Sequence, residues 1–127
     1  TITQGASVLT LNYTPKSATN ILYVVGNSFG SSGSAAQVGL ALFQQGVTNA
    51  LHCVHMATNV SAGASGTGCA TVMWLGSAAK TYLRTYEIRV GRHSGTVSTV
   101  TAMATTSGSK FFGTAGVTWL YIYEIEK

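Results

Sequence analysis

"TWLYIYEIEK" (residues 118–127) closes the chain, and its pattern decides how the rest is read. A strand with one wet face alternates apolar and polar residues, because successive side chains point to opposite sides. Here Trp119, Tyr121, Tyr123 and Ile125 fall on one parity while Leu120 and Ile122 fall on the other, so both faces are apolar. A domain with a single core can cover only one of them. Left wet, the three rings of Trp119, Tyr121 and Tyr123 would present roughly 450–750 Å², at about 150–250 Å² per ring. That meets or exceeds the ~300–600 Å² of a typical monomer's largest apolar patch. The expectation is a homo-oligomer whose interface contains Trp119, Tyr121, Tyr123 and Ile125.

Working outward, 127 residues suit a single domain spanning 1–127, large enough to bury one core without staples. No apolar run approaches the ~20 residues of a membrane-spanning helix, so no membrane insertion is expected. Seven Lys and Arg against three Glu give a formal charge of +4. These cations are scattered from Lys16 to Lys127 rather than clustered, so the chain lacks the electrostatic footprint of a nucleic-acid binder. The chain begins "TITQGAS" without Met or a signal peptide. It is read as a processed or trimmed product, with residues 1–7 a connector to a missing stalk or anchor.

No stretch sustains a capped helical period, whereas β-branched and aromatic residues come in short runs punctuated by Gly, Ser and Asn. "SVLTLNY" (7–13) puts Leu9, Leu11 and Tyr13 on one face, and Pro15, which has no ladder donor, ends it. "NILYVVGNSFG" (20–30) is the next strand, and "SSGSAA" (31–36) reads as a flexible loop. In "QVGLALFQQGVTNALHCVHMA" (37–57), Val38, Leu40 and Leu42 alternate with small residues and "QQG" supplies a hairpin turn. "TNVSAGASGTG" (58–68) is the longest stretch read as loop, followed by a strand in "CATVMWLG" (69–76). "TYLRTYEIRVG" (81–91) separates an inward face of Tyr82, Arg84, Tyr86, Ile88 and Val90 from a polar face of Leu83, Thr85, Glu87 and Arg89. "RHSG" (92–95) is a tight connection, "TVSTVTAMA" (96–104) a returning strand, and "TTSGSKFFGTAG" (105–116) a Gly-rich crossing. The sum is an all-β, two-sheet antiparallel jelly-roll sandwich of about eight strands. An immunoglobulin-like sandwich would prefer widely separated Cys straddling a Trp, which Cys53, Cys69 and Trp74 do not provide.

Chemistry-bearing residues are few. The carboxylates are Glu87, Glu124 and Glu126: Glu124 and Glu126 share one strand parity, and Glu87 opposes Arg89 as a solvated strand pair. None of this resembles two carboxyls converging in a cleft. Asp is absent and no Ser stands in a nucleophile-elbow context, so no catalytic residue and no enzymatic activity are expected. "LHCVHM" (51–56) offers His52, Cys53 and His55, but the two imidazoles fall on opposite strand faces, so no metal and no cofactor are expected. Cys53 and Cys69 are read as free thiols, with one bridge the open alternative.

The order of "LNYTPKSATNILYVVG" (11–26), "LALFQQGVTNA" (40–50), "TYLRTYEIRVG" (81–91), "GTV" (95–97) and "YIYEI" (121–125) resembles a jelly-roll module of bacteriophage fibre and appendage proteins. In that module a Pro-x-Ser turn leads into an apolar strand, an "lfxxG" hairpin follows, and a "TYxxR" strand precedes a closing strand ending in Glu-Ile. The module is similar in architecture to the trimeric heads of the tumour necrosis factor and complement globular families, whose C-terminal strand lines the three-fold axis. "LGSAAK" (75–80) replaces the module's usual Asp-Pro-like pair, so no role of that turn carries over. The resemblance implies a homotrimeric head on a tail fibre or capsid-attached fibre, on the outer surface of a virion beside other virion proteins. A host-cell glycan or receptor would be its ligand. A capsid decoration protein without a receptor is the alternative. The expected receptor-contact loops carry Ser31, Ser32, Ser34, Asn59, Ser61, Ser65, Thr67, Ser107 and Ser109.

Overall fold

The computed structural model describes residues 5–33, 36–58, 65–95, 100–102 and 118–127. These form an all-β, two-sheet antiparallel sandwich, as the sequence pattern implied. Its strands are β1 (Ala6–Tyr13), β2 (Ile21–Gly33), β3 (Ala36–Gln44), β4 (His52–Thr58), β5 (Ser65–Ser77), β6 (Arg84–Gly95), β7 (Val100–Ala102) and β8 (Trp119–Ile125). The first sheet has the order β1-β6-β3-β4. In the second, β2 pairs β5 along one edge and divides the other between β8 (Ile21–Asn27) and β7 (Gly30–Ser32). Among the described strands, only β3 and β4, and β7 and β8, are sequential neighbours that share a sheet; the other sequential pairs lie in different sheets, the interleaving a jelly roll requires.

The expected hairpin is β3–β4, with Leu42 opposite His52 and Leu40 opposite Val54. Its turn needs Gly46, whose φ of 86° is sterically open only to glycine-like backbones. The Leu51 N–H then donates to the Leu42 carbonyl at 2.8 Å to start the return. Between the sheets lie Leu40, Leu42, Tyr86, Ile88 and Val90 from the first and Leu22, Val24, Val72 and Leu120 from the second. The sheets approach closely over Gly26, which pairs with Val72 on one side and Leu120 on the other. A Cβ there would stand 2.7 Å from Ile88 Cδ1, so the facing isoleucine fills the space a side chain would need. The Trp74 indole likewise lies across Gly76 and reaches the Tyr86 ring at 6.4 Å.

Several strands run further than their side chains suggest. Ser31, Ser32 and Gly33, expected in a loop, extend β2, and Ser65, Gly66, Thr67 and Gly68 extend β5, pairing Ser31 with Thr67 and Gly33 with Ser65. "RHSG" is not a connection either, since Ser94 and Gly95 continue β6 opposite Gln37 and Ala36. A ladder is a backbone construction, so small polar residues join it when a partner strand is in register. In the opposite direction, β6 begins only at Arg84, and Tyr82, expected inward, is exposed. Of the returning strand expected at 96–104, Val100–Ala102 is β7 and the rest lies outside the described residues, as does 105–116.

Candidate functional site

The parity of β8 resolves as its sequence demanded. Leu120 is buried and Ile122 half-buried beneath the sheet, while Tyr121, Tyr123 and Ile125 remain 53%, 54% and 48% exposed on its outer side. Trp119 is half-buried, its ring 5.3 Å from that of Tyr121. Directly opposed residues of antiparallel strands share a face, so the ladder places whole rows side by side. These are Leu75–Tyr23–Tyr123, Met73–Val25–Tyr121 and Ser77–Ile21–Ile125. The Tyr23 and Tyr123 rings stack at 6.1 Å, and Met73 and Leu75 add 48% and 63% exposed aliphatic surface. Cys69, Thr71, Asn27 and Phe29 continue the face, which carries no charged side chain among its described residues. Both cysteines are free and exposed.

Exposing about half of each of five large side chains leaves an apolar area on the order of 500 Å², at ~150–250 Å² per full ring and somewhat less per aliphatic chain. The rings are therefore less wet than the fully exposed case considered from sequence, but β2 and β5 broaden the patch beyond one strand. The free edge of β5 is capped at one point: the Met73 N–H donates to His52 Nδ1 at 3.0 Å. Such a cap discourages strand addition at this edge and leaves the sheet's face as the surface open to a partner.

Glu124 has a role that sequence reasoning missed. It accepts from the Tyr13 hydroxyl at 2.5 Å, from the Lys16 and Ser17 N–H groups at 2.9 and 3.2 Å, and from Asn20 Nδ2 at 2.8 Å. One carboxylate thus fastens the end of β8 to the end of β1 and to the turn leading into β2. The Tyr13 hydrogen bond, helped by Lys16, Asn20 and Ser17 against the opposing effect of desolvation, holds the Glu124 carboxyl down to about 2. The same bond, with desolvation and the nearby negative charge, pushes the Tyr13 phenol up to about 12. A carboxylate so fully occupied is a fastener rather than a proton-transfer group. The available signal was parity: Glu124 shares the inward register of Leu120 and Ile122, where a charge needs partners.

Glu87 and Arg89 form the expected pair at 3.1 Å, but their side chains are only 9% and 14% exposed, so the pair is not solvated. Arg89 also donates to the Gly5 carbonyl at 2.6 Å. The polar parity of β6 is therefore a packed surface, with Phe43, which pairs with Glu87 across the ladder, fully buried. Among the described residues, no group of three or more His, Cys, Asp or Glu side chains is arranged to hold a metal ion. Of the expected contact residues, Ser31, Ser32, Ser65 and Thr67 are strand residues, and Ser34, Asn59, Ser61, Ser107 and Ser109 lie outside the described residues. Scans against protein-family models and against curated proteins return no match for this chain.

Proposed function

We propose that this chain is a structural, self-associating β-sandwich module without enzymatic activity: the homotrimeric head of a fibre on the outer surface of a virion, contacting the host surface. The fibre identity and the three-fold order rest on the resemblance of the strand motifs. The self-association rests on one observation, the uncharged outer face formed by Met73, Leu75, Tyr121, Tyr123 and Ile125.

Further copies of the chain suit this face because flat, uncharged, tyrosine-rich surfaces gathered about a three-fold axis can cover one another without leaving a charge unpaired. Magnitudes set the demand. At about 25 cal/mol per Å², covering ~500 Å² yields roughly 12 kcal/mol of gross stabilisation. Association costs about 4–15 kcal/mol before any net affinity is seen. The patch therefore supports association only if the half-buried rim of Tyr23, Val25 and Trp119 joins it, bringing each side toward the ~800 Å² of a standard interface. Sedimentation equilibrium of the full chain at micromolar concentration is the test. A species of three times 13.2 kDa supports the reading, and a single 13.2 kDa species overturns it. Binding to empty capsids, with a rise in their melting temperature and no binding to host envelope, would replace the fibre head by a capsid decoration protein.

A further inference from the structure

Cations that are scattered along the sequence are gathered by the fold. Among the described residues, the exposed charged side chains are Lys16, Lys80, Glu126 and Lys127, and all four stand at one end of the sandwich. The β1–β2 turn that carries Lys16 is tied to the β5–β6 connection that carries Lys80, because the Ala78 and Ala79 N–H groups donate to the Asn20 and Ala18 carbonyls at 2.8 and 2.9 Å. Lys127 and Glu126 follow Ile125, which pairs with Ile21 where that turn ends. The β5–β6 connection runs on through Tyr82 and Leu83, 60% and 61% exposed, and the β3–β4 turn with its exposed Val47 is drawn beside them by the Gln45 N–H, which donates to the Thr85 carbonyl at 2.8 Å. We propose that this end is a peripheral docking surface for a lipid bilayer bearing anionic headgroups, touched without being crossed.

Charge is the first argument. Glu126 offsets its neighbour Lys127, which leaves Lys16 and Lys80 as surplus cations, and among the described residues no ion pair holds either ammonium group. Lysine is a point charge on a flexible stem, without the rigid fork by which arginine grips a single anion. Two separated lysines therefore suit a diffuse layer of negative charge, and an anionic leaflet is such a layer.

Apolar exposure is the second and independent argument. Tyr82 and Leu83 are wetter than Tyr121 and Tyr123 on the second-sheet face. With Val47 they form far too small a patch for a stable protein interface, which covers about 800 Å² on each partner. A bilayer sets no such minimum. It accepts single side chains, an aliphatic one toward the acyl chains and a tyrosine with its ring at the apolar boundary and its hydroxyl among the headgroups. Neighbouring lysines keep their ammonium groups in the headgroup layer while their stems cover apolar surface. A dissolved polyanion would engage the lysines and leave Leu83 in water.

This inference names what the proposed host contact touches, and it rests on that reading only for avidity. A three-fold rotation leaves the direction along its axis unchanged, so three associated copies present this end to the same side and bind one membrane together.

The test is co-sedimentation of the full chain with vesicles of phosphatidylcholine alone or with about one-third phosphatidylglycerol. Dextran sulfate serves as a dissolved polyanion in parallel, and lipid-free sedimentation of the same samples reports association separately. The expected result is partitioning onto the anionic vesicles at least tenfold above that onto the neutral ones, falling as salt is raised. Each lysine near an anionic leaflet contributes about a fivefold gain, so Lys16→Gln with Lys80→Gln should cost roughly twenty-fivefold. Leu83→Ser and Tyr82→Ser should each cost about fivefold on vesicles and nothing on dextran sulfate. Leu83→Ser should also keep the parent's melting temperature. Equal partitioning onto both kinds of vesicle, or onto neither, overturns the proposal. So does vesicle binding that survives the lysine pair unchanged, or that is indifferent to both apolar variants, which would mark the end as a general polyanion site. A chain that binds anionic vesicles yet sediments alone keeps this proposal and loses the trimer, and a trimer that ignores vesicles does the reverse.

Discussion

On the outer side of the second sheet, Leu75, Tyr23 and Tyr123 lie in one row; across the sandwich, the corresponding row on the first sheet is Thr10, Glu87 and Phe43. The first row leaves its large apolar groups half in water, Leu75 at 63% and Tyr123 at 54% exposure. The second covers its phenylalanine to 1% and its carboxylate to 7%, with Arg89 pairing that carboxylate. One face is completed within the chain, whereas the other leaves its large apolar side chains half in water. The difference lies in where partners come from. A charged group satisfied by its own neighbours asks nothing of a second molecule, whereas half-exposed rings without polar neighbours gain only when another surface excludes water.

The strongest way to break this comparison is to charge the unfinished face. Tyr121→Glu combined with Tyr123→Glu brings desolvated like charges into the contact between copies and removes two aromatic anchors. Interface hot spots of this kind are worth about 2–4 kcal/mol each, so the proposed oligomer should be weakened by roughly three orders of magnitude or more. Sedimentation should give a monomer at micromolar concentration with a far-ultraviolet spectrum like that of the parent. An unchanged oligomer would mean that the face is not the interface.

On the finished face the corresponding insult should unfold the chain rather than dissociate it. Arg89→Met removes the partner of a carboxylate that is 9% exposed, and stranding one member of a buried pair costs about 3–5 kcal/mol. Chemical denaturation of the monomeric double variant carrying this third change measures it free of association. A loss below about 1 kcal/mol would mean that water reaches Glu87 and that the two faces differ less than their exposures imply.

Much of this contrast could be read from residues alone, and the failures have a common cause. Period-two alternation placed Tyr121, Tyr123 and Ile125 outward and Val38, Leu40 and Leu42 inward, because a strand forces that choice on each side chain. The pattern could not reveal that Ser31–Gly33 pairs with Ser65–Thr67, since the backbone supplies those bonds and small polar side chains look like loop. Nor could it tell that Glu87 is covered, because burial of a polar parity depends on what packs over it. Tyr82 was misplaced at an element boundary, where alternation persists beyond the last ladder partner. The Glu124 fastener was hidden by distance along the chain: its donors Tyr13 and Asn20 stand 111 and 104 positions away, outside any local motif.

That fastener joins the two sheets at one end, and pH tests it. Folding holds the Glu124 carboxyl near 2, below its ordinary 4.5, so its contribution is fully present above about 4.5 and is lost as pH falls through about 2. The difference in melting temperature between the parent and Glu124→Gln should therefore be constant near neutrality and shrink steadily across that window. Tyr13 carries the opposite sign. With its phenol raised from 10.0 to about 12, its contribution is complete below 10.0 and is lost as pH climbs toward 12. Tyr13→Phe should abolish that alkaline loss. Acid and alkaline limbs indifferent to both substitutions would mean that β8 is held by its ladder to β2 alone.

Tyr86 sharpens the contrast from the inside. It lies on the same strand as Glu87, with its side chain in the core and its ring completely buried against Trp74, yet its hydroxyl has no hydrogen-bond partner. Burying an unpaired hydroxyl costs about 1–3 kcal/mol, whereas its removal leaves ring packing nearly intact. Tyr86→Phe should accordingly raise stability by about 1 kcal/mol, the smallest of these effects and the only gain, measured as a shift of the denaturation midpoint at constant slope. A loss of similar size would mean that the hydroxyl is satisfied by a buried water held between the sheets.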